Sequence, residues 1–533
     1  MLELILHNRQ CPPDRGVRLY ENYGRAPVLL PYRDLPGHAA RAAQHLREQG
    51  VRAGTRVVLP FETTPEAIFT FLGLLEAGAV PLSVKPLIPG TAPAGYQAFL
   101  QRIARDFRAE YVVRTSGLGA EPLPAAELAP APADEPIADA GLRAPEDAEL
   151  AFVQFSSGST GFPKAVPITY RALRANLAAI AGTDRRGAGE KVSSWLPLYH
   201  DMGLVGGLLS CCAEQSDALI STPLAFLADP LGWWRHLSAD RVQGTVIPNF
   251  AIDYSLRMLE NQDAAVFEEL DLSGLRRIYL GSEPINLPNL MDFLDLMAPA
   301  GLDRNVFMPC YGMTETVLMV SSRPPGAPLL LLDTPAQVAA VSVGAPLQGF
   351  TVRIRADDGT VCADGQVGEI ELSGGSLATT LFDDPEPLAG PDGFFRTGDA
   401  GFLSEGELFV TGRVGDRLDA DGRTFFASDF EQAAERLPFV REGRTAAIQS
   451  GGRIVLLAEV DKEAREDIPG SRALVVAHFA QTLGVSVDAA DVHYLKPGQL
   501  ERTSSGKLKR RAIARAYEEG ALVGLTLDAG PAA

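Results

Sequence analysis

The sequence predicts an α/β chain with largely parallel sheets, and three observations lead there. A helix pattern from Thr64 is followed by Ala79 to Val84, a short apolar run suited to a buried strand, and similar pairs recur at Ala172 to Ala181 and at Gly244 to Pro248. The chain is 533 residues long, too long for one ordinary core; at ~100 to 200 residues per domain it should divide into two to four units. Beyond Gly365 the texture changes: Gly368-Glu369-Ile370-Glu371-Leu372 and Gly406-Glu407-Leu408-Phe409-Val410 alternate like two-sided strands and predict a smaller β-rich subdomain.

In chain order, Thr64-Pro65-Glu66 reads as a helix N-cap followed by proline at the first helical position, with Ile68, Phe69, Leu72 and Leu75 as the apolar face and Gly78 as the stop. Gly117 to Ala144, rich in Ala, Pro, Glu and Asp, reads as a surface connection leading into the buried strand Ala151 to Phe155. Gly412 to Asp416 follows a strand and precedes a helix around Ser428 to Arg436, which suits a hinge. The tail from Ala521 onward is expected to fray. Composition narrows the setting. Apolar residues make up 46% and charged residues 22%, an ordinary globular balance. With 48 basic against 67 acidic residues, a formal charge of -19 argues against nonspecific binding to nucleic acid or to anionic membrane. Five cysteines without CxxC spacing suggest neither a disulfide framework nor a zinc site, and no long apolar run suggests a membrane span, so a cytoplasmic protein is expected.

Candidate chemistry begins at Phe155 to Lys164, where Ser156, Ser157, Ser159 and Thr160 supply hydroxyls, Gly158 and Gly161 free the backbone, and Lys164 adds charge. A polyphosphate asks for such a loop, although a solvated Ser/Gly turn competes and no GxxxxGK[ST] pattern is present. Trp195 to Gly203 sets His200 and Asp201 in an apolar, aromatic run followed by Gly206-Gly207, a wall suited to an apolar ligand with one polar end or to plain core. Gly281-Ser282-Glu283-Pro284 and Tyr311-Gly312-Met313-Thr314-Glu315 follow strands, at the usual ligand edge of an open α/β sheet. There Tyr311 suits stacking on a planar base, Thr314 donation to a phosphate, and Glu315 a hard cation such as Mg2+. Asp399 offers two acceptors to a diol with Arg413 alongside, unless the two form a surface ion pair. Arg502 to Arg511 is a basic cluster, a solvated face by default, in which Lys507 follows a Thr-Ser-Ser-Gly turn.

Taken in this order, from about Val51 to Arg511, these segments resemble the adenylate-forming superfamily of acyl-CoA synthetases, luciferases and peptide adenylation domains. Ser194 to Gly207 and Pro248-Asn249-Phe250-Ala251 are most similar to the fatty acyl-AMP ligases, which generally pass their acyl group to an acyl carrier protein. The resemblance implies two α/β subdomains and a β-rich one in an N-terminal domain (1–414) and a small mobile α+β C-terminal lid (415–520), with a frayed tail (521–533). It implies ATP and Mg2+ as cofactors and a carboxylic acid as substrate. Ser156 to Lys164 would then clasp the β- and γ-phosphates; Tyr311, Gly312, Met313 and Gly281 to Pro284 would frame adenine; Thr314 would touch the α-phosphate and Glu315 hold Mg2+. Asp399 with Arg413 would bind the ribose. His200 would border an acyl pocket formed with Trp195, Tyr199, Asp201, Gly203, Gly206, Asn249 and Phe250, and Lys507 would bridge carboxylate and α-phosphate.

Several positions depart from the family pattern. Ala165 replaces a glycine, Gly415 stands at the hinge where Asp or Lys is usual, Glu501 replaces a proline, and Thr424 and Ala427 replace Asn and Pro. Val317 to Val341 carries Pro324-Pro325-Gly326-Ala327-Pro328 in the style of the fatty acyl-AMP ligases, followed by a stretch shorter than their insertion. The expected activity is formation of an acyl-AMP with release of pyrophosphate, then transfer to a phosphopantetheine thiol, on a carrier protein in preference to CoA. An amino-acid-activating enzyme, with Asp201 holding the amine, and a catalytically silent acyl- or carrier-binding homologue are the competing readings.

Overall fold

The structure is a computed structural model that describes residues 7–88, 90–115, 123–138, 140–156, 163–184, 186–334, 336, 338–502 and 508–525. Two sheets dominate its first 350 residues. One has nine strands, in the spatial order Ala345–Pro346, Met319–Ser322, Phe307–Gly312, Arg277–Gly281, Gly244–Pro248, Lys191–Ser194, Asp217–Ile220, Gly16–Leu19, Val28–Pro31. Its six central strands are parallel, and the pairings toward both edges are antiparallel. The other runs Ala126–Leu128, Tyr111–Val113, Arg56–Pro60, Val80–Val84, Leu150–Ser156, Lys164–Thr169, parallel except for the last pair.

The helix expected after Thr64 spans Pro65–Ala77. Thr64 Oγ1 accepts from Ala67 N at 3.2 Å, and Gly78 closes the helix at φ 76°. Nearly every side of this helix is buried, because it packs on Leu35–Glu48 between the two sheets. Of the two further pairs expected, Ala172 to Ala181 is helix alone, within Tyr170–Asp184, and Gly244–Pro248 is strand alone.

The sequence reading needs correction in three further places. The Gly117 to Ala144 connection contributes the edge strand Ala126–Leu128 and buries Leu128 and Ala131, apolar anchors hidden among prolines. The β-rich subdomain starts before Gly365: its antiparallel sheet is Phe350–Arg355, Gly368–Gly374, Phe395–Ser404, Glu407–Arg413. The tail does not fray at Ala521, since Leu525 N donates to Tyr494 O at 2.7 Å and Leu522 packs on the core beside Ile513.

Beyond a short turn at Val414–Asp416 a further core gathers Phe425, Phe430, Leu456, Phe479 and Tyr494. It joins the hairpin Arg417–Ala420/Arg423–Phe426, the sheet Val440–Ser450, Arg453–Val460, Val492–Leu495, and the helices Ala427–Glu435 and Ile468–Thr482. This part meets the rest through polar contacts, Arg436 Nη1 to Asp292 Oδ2 at 2.7 Å, Asn289 Nδ2 to Glu442 Oε1 at 3.1 Å and Arg417 Nη1 to Asp357 Oδ2 at 2.8 Å, and through Ala336, which is buried in the same core. Among the described residues no helix is long and apolar enough to cross a membrane.

Candidate active site

The strands Gly244–Pro248, Arg277–Gly281 and Phe307–Gly312 are parallel, so their carboxyl ends open onto one side of the sheet. A cavity of about 2100 Å³ lies there and extends to the β-rich sheet and the C-terminal part. Parallel strands put their loops together at that edge, which is why motifs far apart in sequence meet.

Tyr311 Oη donates to Asp399 Oδ2 at 2.8 Å, and Arg413 Nε lies 3.0 Å from Asp399 Oδ1. Asp399 and Arg413 face each other across antiparallel strands, so the ion pair is fixed by register. Both readings of the pair therefore meet in one geometry: they are ion-paired, and they line the cavity. Asp399 is buried and Arg413 is more than half exposed. Burial, then the Asp399 charge, pushes the Tyr311 phenol well above its ordinary value and keeps it a donor.

Thr314 Oγ1 donates to Asp201 Oδ2 at 2.9 Å, while Asp201 Oδ1 accepts from Met202 N at 2.8 Å and lies 3.8 Å from His200 Nδ1. Burial would raise the Asp201 carboxyl, but hydrogen bonds and charge from His200, Thr314 and Met202 outweigh it and hold the group below the usual carboxylate range. Asp201 thus couples the His200 run to the Thr314 turn. The next residue, Glu315, is buried, and desolvation raises its carboxyl although Lys164 and Arg413 pull it down. Val317 closes this turn at φ 75°, and Ser282 in the neighbouring loop has φ 77°. Positive φ is costly for a β-branched residue, so the surroundings hold strained backbone beside the cavity.

Gly281, Ser282, Glu283, Pro284, Gly312 and Met313 line the same cavity, with Ser156 and Lys164, which pair across an antiparallel hairpin. Gly312 sits so close to the next strand that a Cβ would lie 1.7 Å from Leu318 O. Ser157, Gly158, Ser159, Thr160, Gly161 and Lys507 lie outside the described residues.

The pocket wall is a π-helix, Met202–Leu209, capped by Asp201. Such helices are rare and concentrate at functional sites. Trp195, Tyr199, His200, Asp201, Gly206, Asn249 and Phe250 all reach the cavity. Trp195 stacks flat on Phe226 with centroids 4.3 Å apart and meets Phe250 edge-on. Gly203 departs from expectation: it is not among the lining residues, because it packs on backbone, where a Cβ would lie 2.2 Å from Pro197 O. Asn249 is also an anchor, accepting from Asn286 N at 3.2 Å and donating to Asp253 Oδ2 at 2.9 Å.

At the hinge, Gly415 lines the cavity below Arg511, and its neighbour Asp416 accepts from Arg510 Nη1 at 3.0 Å. Arg510 also donates to both oxygens of Glu431, so it is a half-buried clamp and not the solvated charge its basic run suggests. Asp416, Glu431 and Arg510 carry no signal in sequence, since each is one charge among many. Asp253 was likewise missed; burial, then the charge of Glu442, pushes its carboxyl up to about 7.

Loops of two sheets converge on Tyr311 and Asp399, and the cavity they line continues past His200 to an apolar wall, an arrangement suited to an acid and a nucleotide held side by side. The AMP-binding enzyme family matches residues 23–382, and the chain belongs to that family. A protein assigned as an acyl-CoA synthetase in Caulobacter vibrioides is 32% identical, covering 95% of this chain and 93% of that protein. One assigned as a fatty-acid–CoA ligase in Mycobacterium tuberculosis is 30% identical, covering 90% of each. A solved structure from the fatty acyl-adenylate ligases of E. coli and L. pneumophila superposes with TM-score 0.84 at 28% identity, covering 97% of both chains.

Enzymes of this family use ATP with Mg2+. Among the described residues no group of three or more His, Cys, Asp and Glu forms a resident metal cage. A single buried carboxylate such as Glu315 fits Mg2+, which binds one or two carboxylates while keeping phosphate and water ligands.

Proposed function

We propose that this enzyme activates a fatty or similarly apolar carboxylic acid with ATP, forming an acyl-AMP and releasing pyrophosphate, and then transfers the acyl group to a phosphopantetheine thiol. The observation that carries this reading is one cavity shared by the Tyr311–Asp399–Arg413 group, the Thr314–Asp201–His200 group and the apolar pocket behind them.

In this reading Asp399 accepts the ribose hydroxyls. Its carboxylate has about four lone-pair sites, so capacity remains beside Tyr311 and Arg413. The Gly281 to Pro284 loop and Tyr311 bracket adenine. Thr314, oriented by Asp201, donates to the α-phosphate, and Lys164 neutralises charge on the departing pyrophosphate. Mg2+, held by Glu315 and the phosphates, supplies electrostatic stabilisation as charge moves onto pyrophosphate. His200 faces the acid's carboxylate at the pocket mouth, and Lys507 draws that carboxylate toward phosphorus. Attack forms the mixed anhydride and breaks the bond to pyrophosphate, and the protein's share is positioning and charge stabilisation.

A carrier protein is the favoured acceptor. The hairpin Leu331–Asp333/Ala339–Val341 falls in the region where the family's insertion is expected, and Ala336 at its turn is buried in the C-terminal core beside Leu418 and Phe425. Arg423 Nη1 also donates to Ala336 O at 3.3 Å. These contacts tie the C-terminal part to the present arrangement, which supports restraint on any rotation that serves CoA. Asp201 receives Thr314 and Met202 and lies beside His200, so in this reading it orients Thr314, and exchange offered with amino acids tests the amino-acid reading.

Acid-dependent exchange of labelled pyrophosphate into ATP should occur with fatty acids. Absence of exchange with every fatty, aromatic and amino acid offered would overturn the reading. Transfer from the preformed adenylate to carrier protein, compared with CoA, tests the acceptor.

A further inference from the structure

The pocket behind His200 does not end in an apolar floor. Arg277, Tyr279 and Gly281 alternate on one strand, so their side chains share a face of the sheet. Gly281 stands at the nucleotide end, and Arg277 is four residues away, ~13 Å at strand rise. On the facing wall the π-helix leads from Asp201 to Ser210. Between these walls Ile180, Gly206, Val246, Leu318 and Met319 line the cavity, and Arg186, Ser210 and Tyr279 line it too.

Arg186 is deeply buried, with a side chain only 2% exposed. Its Nε lies 2.9 Å from Asp184 Oδ2 and its Nη2 contacts Glu214. Asp184 also meets Arg277 and receives the Tyr279 hydroxyl, and Arg277 Nη1 reaches Glu190 Oε2 at 2.5 Å. The Nη1 edge of Arg186 is served differently. Its partner is Cys211 Sγ at 3.8 Å, a weak acceptor at long range. Ser210 Oγ donates to Gly206 O at 2.6 Å, and its lone pairs remain able to accept.

A buried guanidinium with a poorly satisfied edge is costly unless something else accepts from it. A plain methyl terminus would leave that edge as it is, whereas an oxygen would satisfy it. The charge around it decides which oxygen. Asp184, Glu190 and Glu214 already outnumber Arg186 and Arg277, and burial raises the carboxyls of Asp184 and Glu214 above their ordinary range. A further carboxylate would be a fourth anion against two guanidiniums, in a cluster where burial already disfavours the charge on Asp184 and Glu214.

We propose that the acid carries an uncharged oxygen, a hydroxyl or carbonyl, at its far end, accepting from Arg186 Nη1 and, when a hydroxyl, donating to Ser210 Oγ. This rests on the adenylation reading above and specifies its substrate. Arg186 and Ser210 are then specificity-determining residues at the blind end of the pocket.

Pyrophosphate exchange over a length series of straight-chain acids, each offered as the plain acid, the ω-hydroxy acid and the dicarboxylic acid, tests it with the full-length enzyme. At the best length the ω-hydroxy acid should exceed both others by at least about ten-fold in kcat/KM, the scale of one net hydrogen bond. Ser210→Ala should shrink that preference through KM and not through kcat. Arg186→Lys should shrink it as well; if that variant fails to fold, Ser210→Ala and Ser210→Val still decide. Plain acids used equally well at every length, or a dicarboxylic acid preferred, would overturn this proposal while leaving adenylation intact. Exchange with no acid at all would overturn both.

Discussion

Asp399 receives Tyr311 on one oxygen and Arg413 on the other, so a neutral amide there would lose the ion pair and turn one acceptor into a donor. Asp399→Asn is expected to raise KM for ATP with a smaller change in kcat, because the proposed ribose contact would be made equally in ground and transition states. On the proposed reading Thr314, Glu315 and Lys507 would belong to the other category, with contacts that strengthen as charge moves. Glu315→Gln and Lys507→Ala should each lower the adenylation rate on the order of 100- to 1,000-fold. Lys507→Ala should still transfer acyl from a supplied acyl-AMP, and an unaltered exchange rate in that variant would refute its role. These residue types could be read in sequence because their chemistry is local and their motifs contiguous. Asp201 was half legible: its place in the pocket run was visible, but the Thr314 hydrogen bond spans 113 residues and depends on two loops meeting.

Among the elements, the π-helix Met202–Leu209 and the Thr314 turn shape the pocket. The sequence marks this stretch with three glycines, and the structure separates their uses. Gly203 seats the helix on the Leu196-Pro197 backbone, Gly206 faces Leu318 at the cavity wall, and Gly207 lies against Ser194. Gly203→Ala should therefore cost ~1 to 3 kcal/mol of stability by overpacking, read as a lowered Tm. Gly206→Leu should instead leave stability nearly unchanged and shorten the acids accepted, measured by exchange over a chain-length series. Equal effects of the two substitutions would contradict this division. Periodicity could not foresee the π-helix, because an eight-residue apolar run fits several helical periods and packing against the sheet selects one.

Across the molecule, charged and polar contacts together with the buried Ala336 hold the C-terminal part to the rest, and Asp253 lies in the polar contact zone near Glu442. An acid whose folded pKa is raised to about 7 favours the folded state at low pH, and this contribution is lost as pH rises from about 4 through about 7. Glu435, pushed up to about 8 chiefly by burial, acts in the same direction over a wider window. Thermal stability should thus fall between pH 5 and pH 8. Asp253→Asn should flatten that slope, even if the lost Asn249 bond lowers stability at every pH; an unchanged slope would exclude Asp253 as a source. Ala336→Asp places a charge in the core shared by the hairpin and the C-terminal part, and should raise acyl-CoA formation relative to carrier loading. Unchanged partition in a folded variant would remove this explanation of acceptor choice.

The sequence by itself determined the α/β class, the order of the phosphate, nucleoside and acyl motifs, and the kind of chemistry they serve. Each of these is written in contiguous residues, and local propensity and hydrogen-bonding capacity are properties of short segments. Only the tertiary structure decided that Gly203 is packing and Gly206 is wall, that Arg510 clamps Asp416 and Glu431, and that Arg186 lines the cavity. Those outcomes depend on which distant side chains share one buried, water-poor space. There a charge must find its partner, and no reading of neighbours along the chain can name one that lies scores of residues away.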